Sequence, residues 1–504
     1  MFKMKKIVLA GLSLMLATGL SFTQEKKANE TQVQLEKYKG EEFPTIHVKE
    51  WEKMHNSKTA SYKWFNDAKY GMFIHFGLYS HLGGIWKDKK VEEYKSSPHS
   101  EWIMLSAKIP RDEYADIEKS FNPSKYNAMA IAQLAKDAGM KYIVITAKHH
   151  EGFAMYATKY SKHNIIDATP FKRDVVKELY DACEKLGLGF GVYYSHNVDW
   201  MEGADCQVKE AFANNWNILP NKTICANIWD PSPNTFEEYL NNKAYPQVKE
   251  LTQNLPNLKF IWYDMPPRMQ PEQSWQFYKI PYSINPKVMI SDRIGNGFSD
   301  YFIPGDNEIP DAKLKIVKPW ETCGTMNNSW GYKSYDHDWK TPREILFWAI
   351  EIISKGGNYL LNIGPNAEGE VPMDCQKSLI AAGKWMQVNG EALYGSKRWK
   401  VVKEGPTNLS MKSTAERKKK GFNDNFTPND FWFTSKSKTI YAISIVKPEA
   451  TALICSLNNS IGAIKSAEIL GYGNVKFTQS EKGLKVVIPD GFRPENGYVV
   501  KVKI

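Results

Sequence analysis

The sequence predicts an α/β protein: a (β/α) TIM-like barrel, irregular in places, followed by a C-terminal all-β sandwich. Three observations predict it. From about residue 65, short apolar runs alternate with amphipathic helical stretches, the pattern of a parallel sheet buried on both faces. Unusual polar residues recur at the C-terminal ends of the runs, where a barrel gathers them at one mouth. After about residue 397 helical spacing stops and short strand-like runs with turns take over, as in a sandwich.

The barrel elements follow in order. Tyr70–Gly77 (YGMFIHFG) reads as a buried strand. Ala128–Ala138 carries Ile131, Leu134, Ala135 and Ala138 at helical spacing, with Gly139 as a stop. Lys141–His150 is the next strand, Asp174–Leu186 a helix ended by Gly187, and Gly189–Ser195 a third strand. A helix is expected from Phe236 to Leu251, then strands over Lys259–Asp264 and Val288–Arg293, a long loop over 294–318, and a short strand ending near Glu321. Thr341-Pro342-Arg343-Glu344 is a capping box with proline at the first helical position. Gly356-Gly357 ends that helix, Asn358–Gly364 is a strand, and Ser378–Leu393 is the last barrel helix. Beyond it, Thr439–Val446, Ala450–Leu457, Lys476–Ser480, Leu484–Ile488 and Gly497–Ile504 read as sandwich strands.

A chain of 504 residues exceeds what one core usually organises, so more than one domain is expected. Residues 1–24 read as a signal peptide, with Lys3, Lys5 and Lys6 before an apolar run too short for a membrane span. That implies export, to the periplasm or the medium. Residues 25–60 form a polar linker into the fold, 61–397 the barrel and 398–504 the sandwich. No other stretch is apolar enough to span a membrane. The net charge of +10 is spread widely, with one dense run at Arg417–Lys420 read as a solvated loop. No nucleic-acid-binding module is present. Among six cysteines, Cys206 and Cys225 share a loop-like region and are a candidate pair. No Cys/His spacing suggests a metal, and no cofactor motif appears.

Asp264 is the most informative residue. It ends the apolar run Phe260-Ile261-Trp262-Tyr263, and a lone carboxylate on a buried strand needs a reason, because burying charge is costly. A glycosidase carboxylate beneath a sugar carbon supplies one; a capping residue or a partner for Arg293 is the plainer alternative. Glycoside hydrolysis needs a second carboxyl group. Glu321 is favoured, because neighbouring Trp320 would desolvate it and raise its pKa. Asp306 and Glu308, in the long loop, are the alternatives. His75, His149 and His150 suit hydrogen bonds to sugar hydroxyls. Trp102 and Trp262 suit ring-face contacts.

The set FIHFG, KHHEGF, GVYYS, WYD, DR, PWETC with NNSWGY, and GGNYLLNIGP resembles the α-L-fucosidase family, glycoside hydrolase family 29, over about residues 45–400. The resemblance implies a barrel with a C-terminal sandwich, and retaining hydrolysis of terminal α-L-fucose without metal or cofactor. The partner is then a fucosylated oligosaccharide or polysaccharide. Residue by residue, it places the nucleophile on Asp264, fucose contacts on His75, His149, His150, Tyr193 and Arg293, and pocket walls on Trp102 and Trp262. Two departures stand out. Met265 follows the nucleophile where many members have glycine. Ile303-Pro304-Gly305 stands where many carry Thr-Pro-Glu, which favours Glu321 as acid/base. The rivals are a retaining glycosidase for a fucose-like sugar such as α-L-galactose, and a catalytically silent glycan-binding protein.

Overall fold

The computed structural model describes residues 36–37, 40–203, 227, 229–265, 269–407, 422 and 425–504. The stretch read as a signal peptide, both members of the candidate cysteine pair and the basic run Arg417–Lys420 lie outside the described residues.

Seven strands form one all-parallel sheet: β1 (Tyr70–Ile74), β2 (Tyr142–Lys148), β3 (Gly189–Ser195), β4 (Phe260–Asp264), β5 (Met289–Ile290), β6 (Glu321–Thr325) and β7 (Asn358–Ile363). Their order is β6-β7-β1-β2-β3-β4-β5. The two edges are joined by a minimal eighth member within the stretch read as loop. Tyr301 bridges Ser291 and Phe302 bridges Trp320, both in parallel. The Phe302 N–H donates to Pro319 O at 2.8 Å, and the Glu321 N–H donates to Phe302 O at 2.9 Å. The sheet is therefore a closed ring.

Alternation along the strands sorts the side chains. Phe73, Tyr142, Val144, Tyr193, Phe260, Trp262, Cys323 and Leu360 share the barrel interior. Met72, Ile143, Ile145, Val192, Ile261 and Leu361 face outward, against helix residues such as Ile131, Leu179, Val248 and Leu379. Gly71 leaves room for the Tyr142 ring, which a Cβ there would strike.

The helices start where side-chain acceptors meet their first free N–H groups. Asn127 caps Ala128–Asp137, Asp174 caps Val175–Leu186, and Thr341 caps Pro342–Ser354. The expected helix at 236–251 is instead Phe236–Tyr239, a π-helical turn Leu240–Ala244, and Tyr245–Asn254. Part of the predicted linker is helical, over Val48–Asn56. Trp51 is its single buried residue, so the sequence carries no apolar stripe there.

The C-terminal strands are antiparallel. They are β8 (Lys397–Glu404), β9 (Phe431–Lys436), β10 (Thr439–Ser444), β11 (Thr451–Ile454), β12 (Ser466–Ile469), β13 (Gly473–Asn474), β14 (Phe477–Ser480), β15 (Gly483–Val487) and β16 (Tyr498–Lys503). One sheet runs β8-β9-β10-β16-β12-β13, the other β11-β15-β14. Phe431, Phe433, Ile440, Ile454, Leu484 and Val486 fill the space between. Trp432 points the other way and donates its indole N–H to Glu351 on the helix Pro342–Ser354, fixing the sandwich to the barrel.

Candidate active site

The strand ends deliver the site. His75 follows β1, with its N–H bonded to Ile363 O at 3.1 Å. His149 and His150 follow β2 after an irregularity between Thr146 and Lys148. Tyr193 lies within β3, Asp264 ends β4, and Arg293 sits in the turn Asp292–Ile294 after β5. Trp102 comes from the turn Ser100–Trp102.

Asp264 is the centre. Tyr193 Oη donates to its Oδ2 at 2.9 Å, and Arg293 Nη1 donates to its Oδ1 at 2.9 Å. His150 Nε2 stands 3.7 Å from Oδ2. Burial pushes this carboxyl up, but the Arg293 charge and the bonds from Arg293 and Tyr193 outweigh it and hold it below the ordinary aspartate value. It is an ionised carboxylate near neutral pH, with 14 % of its side chain exposed at the mouth.

The histidine tautomers follow from their partners. Ser195 Oγ donates to Val198 O at 2.7 Å, so it accepts from His150 Nδ1, also at 2.7 Å. His150 Nε2 is then a bare acceptor facing a second acceptor, Asp264 Oδ2. A hydroxyl, with one O–H, can donate to one of them at a time. His75 Nδ1 donates to Asn362 Oδ1 at 2.6 Å, because the Asn362 amide N–H is spent on Trp330 O at 2.7 Å. His75 Nε2 is likewise left as an acceptor. Burial lowers all three histidines, His150 to about 3, so they are neutral hydrogen-bonding groups.

Aromatic rings wall the site. Trp102 meets His150 edge-on at 5.1 Å, His149 stacks on Tyr193 at 5.3 Å, and Tyr193 stacks on Trp262 at 5.5 Å. The Arg293 guanidinium lies 4.8 Å over the Trp262 ring. Two further residues belong here that the sequence reading did not assign. Trp330, in the NNSWGY motif, packs on His75 at 5.2 Å. Glu101, beside Trp102, is buried with its Oε2 accepting from the Gly331 N–H at 2.8 Å. Its Oε1 has no hydrogen-bond partner among the described residues, and its charge reaches His75. A carboxylate in Ser-Glu-Trp, next to a proposed sugar-stacking ring, was the available signal.

The second carboxyl group is where the structure departs from expectation. Glu321 begins β6 instead of ending a strand. It lies inside the barrel, where Tyr142 Oη donates to it, and it faces the end opposite the mouth. The strand pairs Glu321 with Asn358, the first residue of β7. The error came from direction: ETCGT has no apolar run to mark its start. Asp306 instead reaches the mouth. Arg293 Nη2 donates to it, and it pairs with Cys323. Glu308 sits two residues on, with its carboxylate against Gly305. Among the described residues, no group of three or more His, Cys, Asp or Glu could hold a metal ion.

Comparison with known proteins gives the family. The α-L-fucosidase family model matches residues 38–391, and the model of the α-L-fucosidase C-terminal domain matches residues 422–503. Human plasma α-L-fucosidase is 29 % identical over 452 residues, covering 84 % of this chain and 85 % of its own length. An α-L-fucosidase of Lactobacillus casei, solved with α-L-fucose product, is 37 % identical with a TM-score of 0.58, covering 65 % of this chain and 98 % of its own. The α-L-fucosidase isoenzyme 1 of Paenibacillus thiaminolyticus is 27 % identical with a TM-score of 0.70, covering 89 % and 99 %. With both models matched in order on a barrel and its sandwich, this chain belongs to the α-L-fucosidase family of glycoside hydrolases.

Proposed function

We propose that this protein is an exo-acting α-L-fucosidase that releases terminal α-L-fucose from glycans with retention of configuration, after export from the cell. The carrying observation is Asp264: an ionised carboxylate at a barrel strand end, held by Arg293 and Tyr193 beneath a wall of neutral histidines. The solved Lactobacillus casei relatives with α-L-fucose and with Fuc(α1,6)GlcNAc support the sugar.

In this reading one sugar hydroxyl donates to His150 Nε2, others bond His75 and His149, and Asp264 is left facing the anomeric carbon. Asp264 attacks the anomeric carbon while the glycosidic bond breaks, and the leaving oxygen takes the proton of the second carboxyl group. Water then attacks the same carbon, gives its proton to that group, and the bond to Asp264 breaks. Asp306 is the second group in this reading, since Arg293 already joins it to Asp264. Glu308 is the other loop candidate.

Turnover of an aryl α-L-fucoside, followed by NMR of the first-formed sugar, tests this. α-L-Fucose appearing first is expected. β-L-Fucose first overturns retention, and no turnover overturns the activity.

A further inference from the structure

We propose that Lys148 and Ser195 are positioning residues: they meet on the Val198 carbonyl and together hold His150 with its Nε2 open to the sugar. This rests on the reading of His150 as a hydroxyl acceptor in a fucosidase.

Lys148 ends β2, directly before the histidine pair, and Ser195 ends β3. The Lys148 side chain is wholly buried, where an ammonium is costly unless its protons are taken. Burial lowers it to about 8 and Asp199 opposes that, so near neutral pH it is charged. Its three protons meet three acceptors: Val198 O at 3.3 Å, Asp199 Oδ2 at 3.1 Å and Tyr239 Oη at 3.1 Å. The first two lie on the segment after β3. Asp199 Oδ1 accepts from the N–H groups of Met201, Glu202 and Gly203, so the same carboxylate folds the turn.

This segment grips His150 from three sides. The Trp200 N–H donates to His150 O at 2.7 Å. The Trp200 ring packs edge-on to the imidazole at 5.5 Å and to Trp102 at 5.4 Å. Val198 O takes the Ser195 hydroxyl proton at 2.7 Å, which leaves Ser195 Oγ to accept from His150 Nδ1. Without Lys148 the Val198 carbonyl is free to turn away. The Ser195 proton would then go to His150 Nδ1, and the imidazole would carry its own proton on Nε2. That proton would face Asp264 Oδ2, 3.7 Å away, and bond the nucleophile instead of accepting from the sugar. Lys243 also reaches Asp199 Oδ2, at 2.7 Å, so Asp199 keeps a counter-ion in Lys148→Met.

The test is NMR of the full chain with isotope-labelled histidine nitrogens at neutral pH, beside steady-state kinetics on an activated aryl α-L-fucoside. The His150 signals are assigned by their loss in His150→Ala. The wild type should show His150 protonated on Nδ1, and both Lys148→Met and Ser195→Ala should move that proton to Nε2. Each should lower kcat/KM on the order of 10²-fold. In a His150→Ala background either substitution should change kcat/KM by no more than about 2-fold, because it acts through that ring. A wild-type His150 protonated on Nε2, an unmoved proton in either variant, or equal losses with and without His150 would overturn the inference. Unchanged kinetics with only a lowered Tm would overturn it in favour of packing. Should Lys148→Met not fold, Ser195→Ala removes a single hydroxyl at the same carbonyl and carries the same outcomes. An inactive wild type would instead overturn the underlying function, and the spectra would still decide the tautomer.

Discussion

Arg293 grips two carboxylates at once: Nη1 donates to Asp264 Oδ1 at 2.9 Å and Nη2 donates to Asp306 Oδ1. One planar fork thus sets the orientation of both groups that the proposed reaction needs, and the predictions begin from it.

Arg293→Lys keeps the charge but loses the fork, and an ammonium cannot hold both carboxylates in the same geometry. kcat/KM should fall on the order of 10²-fold. Asp264 loses part of what offsets its burial, so its pKa should rise. The acid limb of the kcat/KM profile should move to higher pH; an unmoved limb would separate Arg293 from the proposed nucleophile.

Asp306→Ala should nearly stop hydrolysis of alkyl fucosides while sparing the first step on activated aryl fucosides, because a general acid matters most for poor leaving groups. Azide should restore turnover and give an α-fucosyl azide, since it attacks the β-linked fucosyl-enzyme from the face that water uses. The same behaviour from Glu308→Ala, with none from Asp306→Ala, would transfer the role to Glu308.

Asp300→Asn should destabilise the fold by about 3–5 kcal/mol. Asp300 is buried and bonds Lys58 at 2.6 Å, His55 at 3.2 Å, Tyr278 at 2.8 Å and the Ile290 N–H at 2.9 Å. The variant strands the Lys58 ammonium in the interior. Urea unfolding at neutral pH measures the loss, and a change under 1 kcal/mol would refute the clamp.

His196 and His150 should each cost stability on acidification below pH 6.5, against the opposing effect of the buried carboxyls Glu151, Glu321 and Asp292, which burial raises to about 8, 8 and 7. Burial lowers His196 to about 4 and His150 to about 3, against an ordinary value of 6.5. Between those values these histidines bind protons in the unfolded chain and refuse them in the folded one, so their contribution to stability rises with pH in that window and is lost as pH drops. His196 alone accounts for about 3 kcal/mol on full titration. Denaturant midpoints at pH 7.5 and 5 for the wild type and for His196→Gln check this: acidification should cost the wild type more than the variant, and an equal pH dependence of the two would contradict it.

Much of this was legible because apolar runs end at polar residues. His75, His149, His150, Asp264 and Arg293 each close or follow such a run, and the structure brings them together with Tyr193 around one carboxylate. Glu321 misled because a strand of mixed polarity carries no sign of which way it points into the barrel; only its pairing with β7 does. Glu101 and Trp330 sit on loops, where no periodicity marks them, and their proximity to His75 exists only in three dimensions. Tyr301–Phe302 closes the ring with too few residues to leave a pattern.

That closure has a consequence for how the enzyme is lost. Arg293 precedes the Tyr301–Phe302 seam and Asp306 follows it, while the adjoining strand β5 has two residues against seven in β2 and β3. Local opening starts where backbone bonds are fewest. Amide protons of 289–302 should therefore exchange with deuterium before those of β2 and β3. Inactivation on warming should run ahead of the loss of helical signal, because the first part of the ring to part company carries both the arginine fork and one of the carboxylates it holds.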